Sequence, residues 1–422
     1  MEKPAMKCDT LVIKVASRCN LNCSYCYMYN LGDKTYKSQP KQMSTRVVDD
    51  ILMRTLENCT KHGVDHFSFV LHGGEPLLAD KEFFIYFVTR ASEVLPKTIQ
   101  YRFMMQTNGI LLDEEWCKLL GQLDIRIGIS LDGMKEDNDK FRVDHAGRGS
   151  YDQIVRAFKL AQNSPHITTG TGLLSVININ ADPVKLYHHF RELNVHGLDW
   201  LLPDANYDNR PPQPTPDKAW AGETPYADWL ITIFDLWFAE KNERYDVRMF
   251  YYIVHSILGG EFMADNLGQL NNEVLVIETD GGIEAVDSLK SCGEGFTKAG
   301  ANVSTHSFEE AMQTRLARIY HLSHQLLPRK CLACPVREVC GGGSIYNRYS
   351  KENGFNNPSV YCGDLLKLIT HIQNKVVGQL PSDILSESQV LPLTYEEALR
   401  IREEQLPLTP EPDYAMELSY QD

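Results

Sequence analysis

Five short runs rich in β-branched and aromatic residues, Leu11–Val15, Phe67–Leu71, Tyr101–Gln106, Ile125–Ser130 and Leu173–Ile179, recur along the first 200 residues with longer amphipathic stretches between them. Strands separated by that much helical pattern cannot pair as hairpins; each crosses over and rejoins its neighbour in parallel. Helical patterns begin at Ser44, after Asp80, at Asp113 and at Tyr151, and a sixth strand is expected around Asp199–Leu202. Alternation of this kind predicts an α/β fold, a parallel sheet or barrel. In such folds the chemistry lies on the loops that follow the carboxyl ends of the strands.

At 422 residues the chain exceeds what one core normally supports, so two or more domains are expected. Lysine and arginine number 42 against 56 acidic residues, for a net charge of -14, and no basic footprint is left for nucleic acid or an anionic membrane surface. Met1–Thr10 has no apolar core of a signal peptide, and no 18 apolar residues follow one another. The 11 cysteines are bunched, which argues for metal ligation in a reducing cytosol over a disulfide frame and places the protein in the cytoplasm.

Pro203–Pro225, with Pro211, Pro212, Pro214 and Pro216, forbids regular structure and is either a lid or a solvated linker. Residues 273 to 375 hold five cysteines and the turn Gly341-Gly342-Gly343, a loop-rich stretch that needs a metal staple. From Pro381 onward ten acidic residues face two arginines, so a partly disordered, solvated tail is expected, with one short helix capped by Thr394 and Glu397. Thirteen histidines show no paired ligand spacing, and no strand-turn-helix stretch offers a serine nucleophile, so hydrolase chemistry is not expected.

Directly after the first strand stand Cys19, Cys23 and Cys26, three thiols within eight residues. Structural zinc is normally closed by four ligands, and no Cys or His in the next 30 residues supplies a fourth. Three thiolates suit an iron-sulfur cluster with one iron left open for a cosubstrate. The second group, Cys331, Cys334, Cys340 and Cys362, suits either zinc or a 4Fe-4S cluster, and spacing alone does not decide between them. Cys59 and Cys117 fall in helical patterns and read as small buried hydrophobes.

The stretch Cys19-Asn20-Leu21-Asn22-Cys23-Ser24-Tyr25-Cys26 resembles the cluster loop of radical S-adenosylmethionine enzymes, including the aromatic residue before the last cysteine. The resemblance implies a partial (β/α)6 TIM barrel of radical SAM type, a 4Fe-4S cluster on Cys19, Cys23 and Cys26, and S-adenosyl-L-methionine on its open iron. Reductive cleavage of that cosubstrate then gives a hydrogen-abstracting 5'-deoxyadenosyl radical. Gly73-Gly74-Glu75-Pro76 is similar to the family's methionine-binding turn, with Glu75 near the ammonium group. Gln106-Thr107-Asn108-Gly109 and Ser130-Leu131-Asp132-Gly133 are similar to segments lining the cofactor's polar parts, and Arg142 is a candidate for its carboxylate. Tyr25, Gly73, Gly74, Glu75, Gln106, Asn108, Ser130, Asp132 and Arg142 are thus the expected cofactor contacts.

The second cysteine group resembles the SPASM extension of peptide-modifying members, which implies one auxiliary 4Fe-4S cluster on Cys331, Cys334, Cys340 and Cys362. Positions that carry further ligands in two-cluster members hold Val286 and Ser344 here. Asp287 follows Val286, and an aspartate there acts as a base in related maturases; as a plain alternative it caps a turn. The implied boundaries are 1–240 for the barrel, 241–285 for a connection, 286–375 for the SPASM-like domain and 376–422 for the acidic tail. Segments such as Gly354-Phe355-Asn356-Asn357-Pro358-Ser359-Val360-Tyr361-Cys362 look like FxsB-type maturases, which join an aromatic ring carbon to a β-carbon as a cyclophane in a ribosomal precursor peptide. The expected partners are that peptide and a flavodoxin- or ferredoxin-type reductant. Alternatives are another peptide or protein maturase, forming thioethers, epimerising, or oxidising a sulfatase residue, and, from another class, a non-catalytic zinc-binding interaction protein.

Overall fold

The computed structural model describes residues 6–240, 245–381, 385 and 391–420. The chain forms two compact units, each assembled from two stretches: residues 1–175 with 273–321, and 176–272 with 322–422. Nine strands are present among the described residues: β1 (Thr10–Ala16), β2 (His66–Gly73), β3 (Gln100–Thr107), β4 (Ile125–Ser130), β5 (Gly172–Val176), β6 (Gly197–Leu201), β7 (Asp246–Val247), β8 (Val274–Ile277) and β9 (Ile283–Glu284). The six expected strands are all found, within a few residues of their expected bounds.

In the first unit the sheet runs in the order β5-β4-β3-β2-β1-β8-β9, parallel except for the last pair. Helices α1 (Thr45–His62), α2 (Lys81–Val94), α3 (Glu114–Gln122), α4 (Lys135–Phe141) and α5 (Tyr151–Asn163) make the crossovers. Ser44 caps α1 by accepting the Val47 N–H, and Gly63 ends it in the left-handed conformation at φ 66°. Asp113 caps α3 in the same way, accepting from Trp116 N at 2.8 Å. Register aligns Leu11, Phe69, Phe103 and Ile125 across four strands, with Leu275 on the other side of Leu11. All five are buried, and the Phe69 and Phe103 rings stack at 5.0 Å. Burying each of these phenylalanines contributes about 1.5–3 kcal/mol. Parallel strands are covered on both faces, which is why β1 reads as almost continuously apolar and why Lys14 within it, also fully buried, requires a partner.

In the second unit β6 pairs with β7, and Trp200 of β6 meets Trp229 of the Pro225–Glu240 helix edge to face at 5.1 Å. The proline-rich 203–224 segment has no helix or strand, as expected, yet it is not a loose linker. Tyr361 Oη donates to Pro203 O at 2.8 Å, Asn347 to Ala205 O at 2.7 Å, and Trp220 Nε1 to Ile179 O at 2.6 Å. The acidic tail also differs from expectation. Part of it, residues 382–384, 386–390 and 421–422, lies outside the described residues. The rest holds a helix, Tyr395–Gln405, with the expected Thr394/Glu397 capping box, and its Ala398, Arg402 and Leu418 are buried. Leu418 O accepts from Phe355 N at 2.7 Å. A few apolar anchors among many carboxylates dock this tail, and a charge count hides them. No helix among the described residues is long and apolar enough to cross a membrane.

Candidate active site

The distinctive motifs of the first unit follow the carboxyl ends of β1, β2, β3 and β4. The cysteine loop behind β1 is tied down by backbone bonds from Asn22 N to Val143 O at 2.7 Å and from Ser24 N to Phe141 O at 3.1 Å. Cys19, Cys23 and Cys26 are partly exposed free thiols. Burial pushes Cys19 and Cys26 up to about 12, each raised further by the neighbouring thiols, while Arg142 partly opposes the rise at Cys23. Thiols raised this far bind a metal with release of their protons. Among the described residues no three Cys, His, Asp or Glu side chains converge as ligands of a single metal ion. A structural zinc site takes four ligands, and this loop offers three thiols. Three thiols are the number that leaves one iron of a 4Fe-4S cluster open.

Gly73 and Gly74 bring β2's turn against the cysteine loop. Gly74 N donates to Ala16 O at 2.8 Å, and a Cβ on Gly74 would lie 1.9 Å from Tyr29 Oη and 2.4 Å from Arg18 O. On Gly73 it would lie 2.2 Å from Ala16 O. Glu75 is buried and accepts from Leu77 N at 3.0 Å, Thr107 Oγ1 at 2.6 Å and Asn108 N at 2.8 Å, which ties the β2 turn to the β3 turn. Asn108 reaches on to Asn20 at 2.7 Å, and Gln106 Nε2 donates to Ser130 Oγ at 2.8 Å, linking β3 to β4. The glycines therefore make room for protein backbone, and Glu75, whose N–H also donates to Arg18 O at 2.9 Å, braces three loops. Gly74→Ala is expected to cost about 1–3 kcal/mol by overpacking and to lower iron uptake, read by thermal unfolding and by iron analysis of the anaerobically reconstituted protein.

Tyr25 donates to Asp132 Oδ2, and Arg142 Nη1 donates to Tyr25 Oη at 2.8 Å while lying 3.8 Å from Asp132 Oδ2. Arg142 is buried rather than a surface arginine, and its Nε has no partner among the described residues. A buried guanidinium with a spare donor fits the carboxylate of a bound amino-acid group.

Asp287 does not cap the turn that follows it: no side-chain cap bond is made at the Asp287–Cys292 turn, whose N-cap is Val286. Its Oδ2 instead accepts from Lys14 Nζ and from Tyr27 Oη at 2.7 Å, and Oδ1 has no hydrogen bond among the described residues. Lys14 Nζ also meets Nδ1 of His72, its register partner on β2, at 3.0 Å. Lys14 and Tyr27 hold the Asp287 carboxyl well below the usual carboxylate range against its own burial, and burial beside Lys14 lowers His72 to about 4. The result is an ionised carboxylate, a buried lysine and a neutral imidazole in a row. Sequence reasoning found Asp287 and missed Lys14, Tyr27 and His72. Lys14 carried a usable signal, a single charge inside a strand buried on both faces.

In the second unit Cys331, Cys334, Cys340 and Cys362 form another set of free thiols. Burial pushes Cys331 up to about 12 and raises Cys340 well above its ordinary value, with the other members of the set raising both. Gly341, Gly342 and Gly343 all take positive φ; a Cβ on Gly341 would lie 2.0 Å from Gly268 O. Val286 and Ser344 are buried in their own units. Cys8, Cys59 and Cys117 are buried too, Cys59 in α1 and Cys117 in α3, as small core residues.

The fold and the three-thiol loop define a class, and comparison with known proteins names it. The profile of the Radical SAM superfamily matches residues 13–188, and the chain belongs to that superfamily. It is accordingly an enzyme that uses S-adenosylmethionine and iron-sulfur chemistry. An uncharacterized protein of Archaeoglobus fulgidus is 36% identical over 374 residues, 85% of this chain and 79% of its own length. The cysteine-type anaerobic sulfatase-maturating enzyme of Clostridium perfringens is 27% identical over 369 residues, 84% of this chain and 93% of its own. The solved structure of native anSMEcpe with bound AdoMet and Kp18Cys peptide shares the fold, with a TM-score of 0.72 at 23% identity over 87% of this chain and 98% of that one.

Proposed function

We propose that this enzyme modifies a ribosomally made precursor peptide by removing a hydrogen from a β-carbon and joining that carbon to an aromatic ring carbon, forming a cyclophane. Cys19, Cys23 and Cys26 hold the catalytic cluster, and Arg142, Asp132, Ser130, Gln106, Asn108, Tyr25 and the Gly73-Gly74-Glu75 turn cradle S-adenosylmethionine. Cys331, Cys334, Cys340 and Cys362 hold one auxiliary 4Fe-4S cluster in a SPASM-like segment spanning 286–375. Bound there, these groups supply hydrogen abstraction at the first site and one-electron uptake at the second.

The observation that carries the reading is the Asp287 carboxylate, ionised and buried, with Oδ2 committed to Lys14 and Tyr27 and Oδ1 uncommitted. Restoring aromaticity to the ring releases a proton from a strongly acidic carbon, so even a weak base placed at Oδ1 takes it. Lys14 compensates the carboxylate charge, and Tyr27 fixes the plane of the group, so Oδ1 is held in one direction. The peptide as substrate is supported by the relatives, among them an enzyme solved with a bound peptide. A reductant protein of flavodoxin or ferredoxin type provides the electrons.

A second reading, oxidation of a cysteine or serine as in sulfatase maturation, is favoured by similarity along 93% of the Clostridium perfringens enzyme's length. Val286 and Ser344, standing where a second auxiliary cluster would need thiolates, favour the first. Mass spectrometry separates them, using synthetic peptides that carry an aromatic residue together with a serine or cysteine. A product lighter by two hydrogens, with a carbon-carbon link in its fragments and no reaction with a hydrazide probe, supports the cyclophane. A hydrazide-reactive aldehyde supports the sulfatase-type reaction and overturns the first.

A further inference from the structure

The acidic tail buries an arginine whose guanidinium faces a sulfur. Arg402, on the Tyr395–Gln405 helix, is 7% exposed, donates from Nη1 to Cys362 Sγ at 3.5 Å, and keeps a buried Nε with no partner among the described residues. Among the described residues it makes no ion pair, although its helix carries Glu396, Glu397, Glu403 and Glu404. Arg348 is a second buried arginine of this unit without a carboxylate partner among the described residues. It is fully buried and donates to the carbonyls of Ser323 at 2.9 Å, Leu326 at 2.6 Å and Phe355 at 3.3 Å, with no carboxylate among those partners.

Two buried cations without carboxylates are costly unless an anion compensates them. Four thiolates around an iron-sulfur core form such an anion. An apolar plug or neutral thiols would leave both guanidiniums uncompensated.

We propose that Arg402 is a positioning residue of the auxiliary cluster: it hydrogen-bonds the Cys362 sulfur and raises the cluster's reduction potential so that the site takes up an electron readily. The inference rests on the assignment of a cluster to Cys331, Cys334, Cys340 and Cys362. Hydrogen bonds and positive charge at the sulfurs stabilise the reduced, more negative state, and hydrogen bonding, net charge and solvent exposure are what set cluster potentials. The tail helix thereby gains a task that its acidic surface conceals, shielding Cys362 and delivering one cation to it.

The test is a potentiometric titration followed by electron paramagnetic resonance on the full chain, reconstituted anaerobically, as wild type, Arg402→Gln and Arg402→Lys. In Arg402→Gln the auxiliary midpoint moves to more negative potential by at least a tenfold change in the one-electron equilibrium, about 59 mV, while the catalytic cluster's midpoint stays in place. Arg402→Lys recovers most of that shift because the charge is retained. An unchanged auxiliary midpoint in Arg402→Gln with full iron content overturns the role of Arg402 and leaves the cluster assignment standing. Equal iron loss in the Gln and Lys variants also overturns it, since charge then does not matter. Zinc in place of a second cluster in the wild type overturns the assignment itself, and the inference with it.

Discussion

Cys23→Ala is expected to abolish formation of 5'-deoxyadenosine from S-adenosylmethionine while leaving about four irons per chain, the content of one remaining 4Fe-4S cluster. The expectation follows from the donor set. Only three thiols serve the loop behind β1, and no histidine or carboxylate converges on them among the described residues to replace a lost one. Cys23 also feels the charges of Arg142 and Asp132, the residues expected to meet the cosubstrate's polar groups. The second set lies in the other compact unit and keeps all four sulfurs. Iron and sulfide analysis together with chromatographic detection of 5'-deoxyadenosine checks both halves. Loss of all iron, or continued cleavage, would show that the two sets do not act as separate sites.

Asp287→Asn is expected to lower the yield of modified peptide by about 10²–10⁴, the usual contribution of a positioned general base, while cleavage of S-adenosylmethionine continues. Hydrogen abstraction needs no base, so the reaction stops short of deprotonation and cosubstrate is consumed without product. The substitution also strands Lys14 Nζ, fully buried beside a neutral His72, and breaking a buried pair costs about 3–5 kcal/mol. Tyr27→Phe separates these effects, since it removes one hydrogen bond of 2.7 Å and keeps the ion pair. Its expected cost is about 1 kcal/mol, with a correspondingly smaller loss of product. The sign of the pH dependence is fixed by the lowered Asp287 value: the pair's contribution is complete above the unfolded carboxylate value of about 3.9 and is lost only as pH falls through the lower folded value. A stability midpoint near neutral pH that vanished in Asp287→Asn would contradict the ionised state. The readouts are product and 5'-deoxyadenosine per turnover, and thermal unfolding across pH.

Much of this architecture is legible in the sequence. Alternating periodicity gave six strands and the crossover helices because parallel strands and amphipathic helices write different periods into the chain. The cysteine loops were legible because metal ligation restricts residue type at fixed spacing. What escaped was long-range pairing. Lys14 and Asp287 are 273 positions apart, and only the parallel alignment of β1 with β2 and β8 makes them neighbours. The tail misled for a related reason: its charge announces solvent, whereas Ala398, Arg402 and Leu418 anchor it. Gly74 shows the opposite case, a position legible as a tight turn whose steric demand, the approach of Tyr29 and Arg18, exists only in three dimensions.

Oxygen-free purification of the wild-type chain, followed by metal analysis and electron paramagnetic resonance of the reduced protein with and without S-adenosylmethionine, tests the central claim most directly. About eight irons per chain are expected, two 4Fe-4S clusters, with a spectrum of one cluster that changes when the cosubstrate is added. Bound zinc at the Cys19, Cys23 and Cys26 loop, or a spectrum indifferent to S-adenosylmethionine, would contradict it.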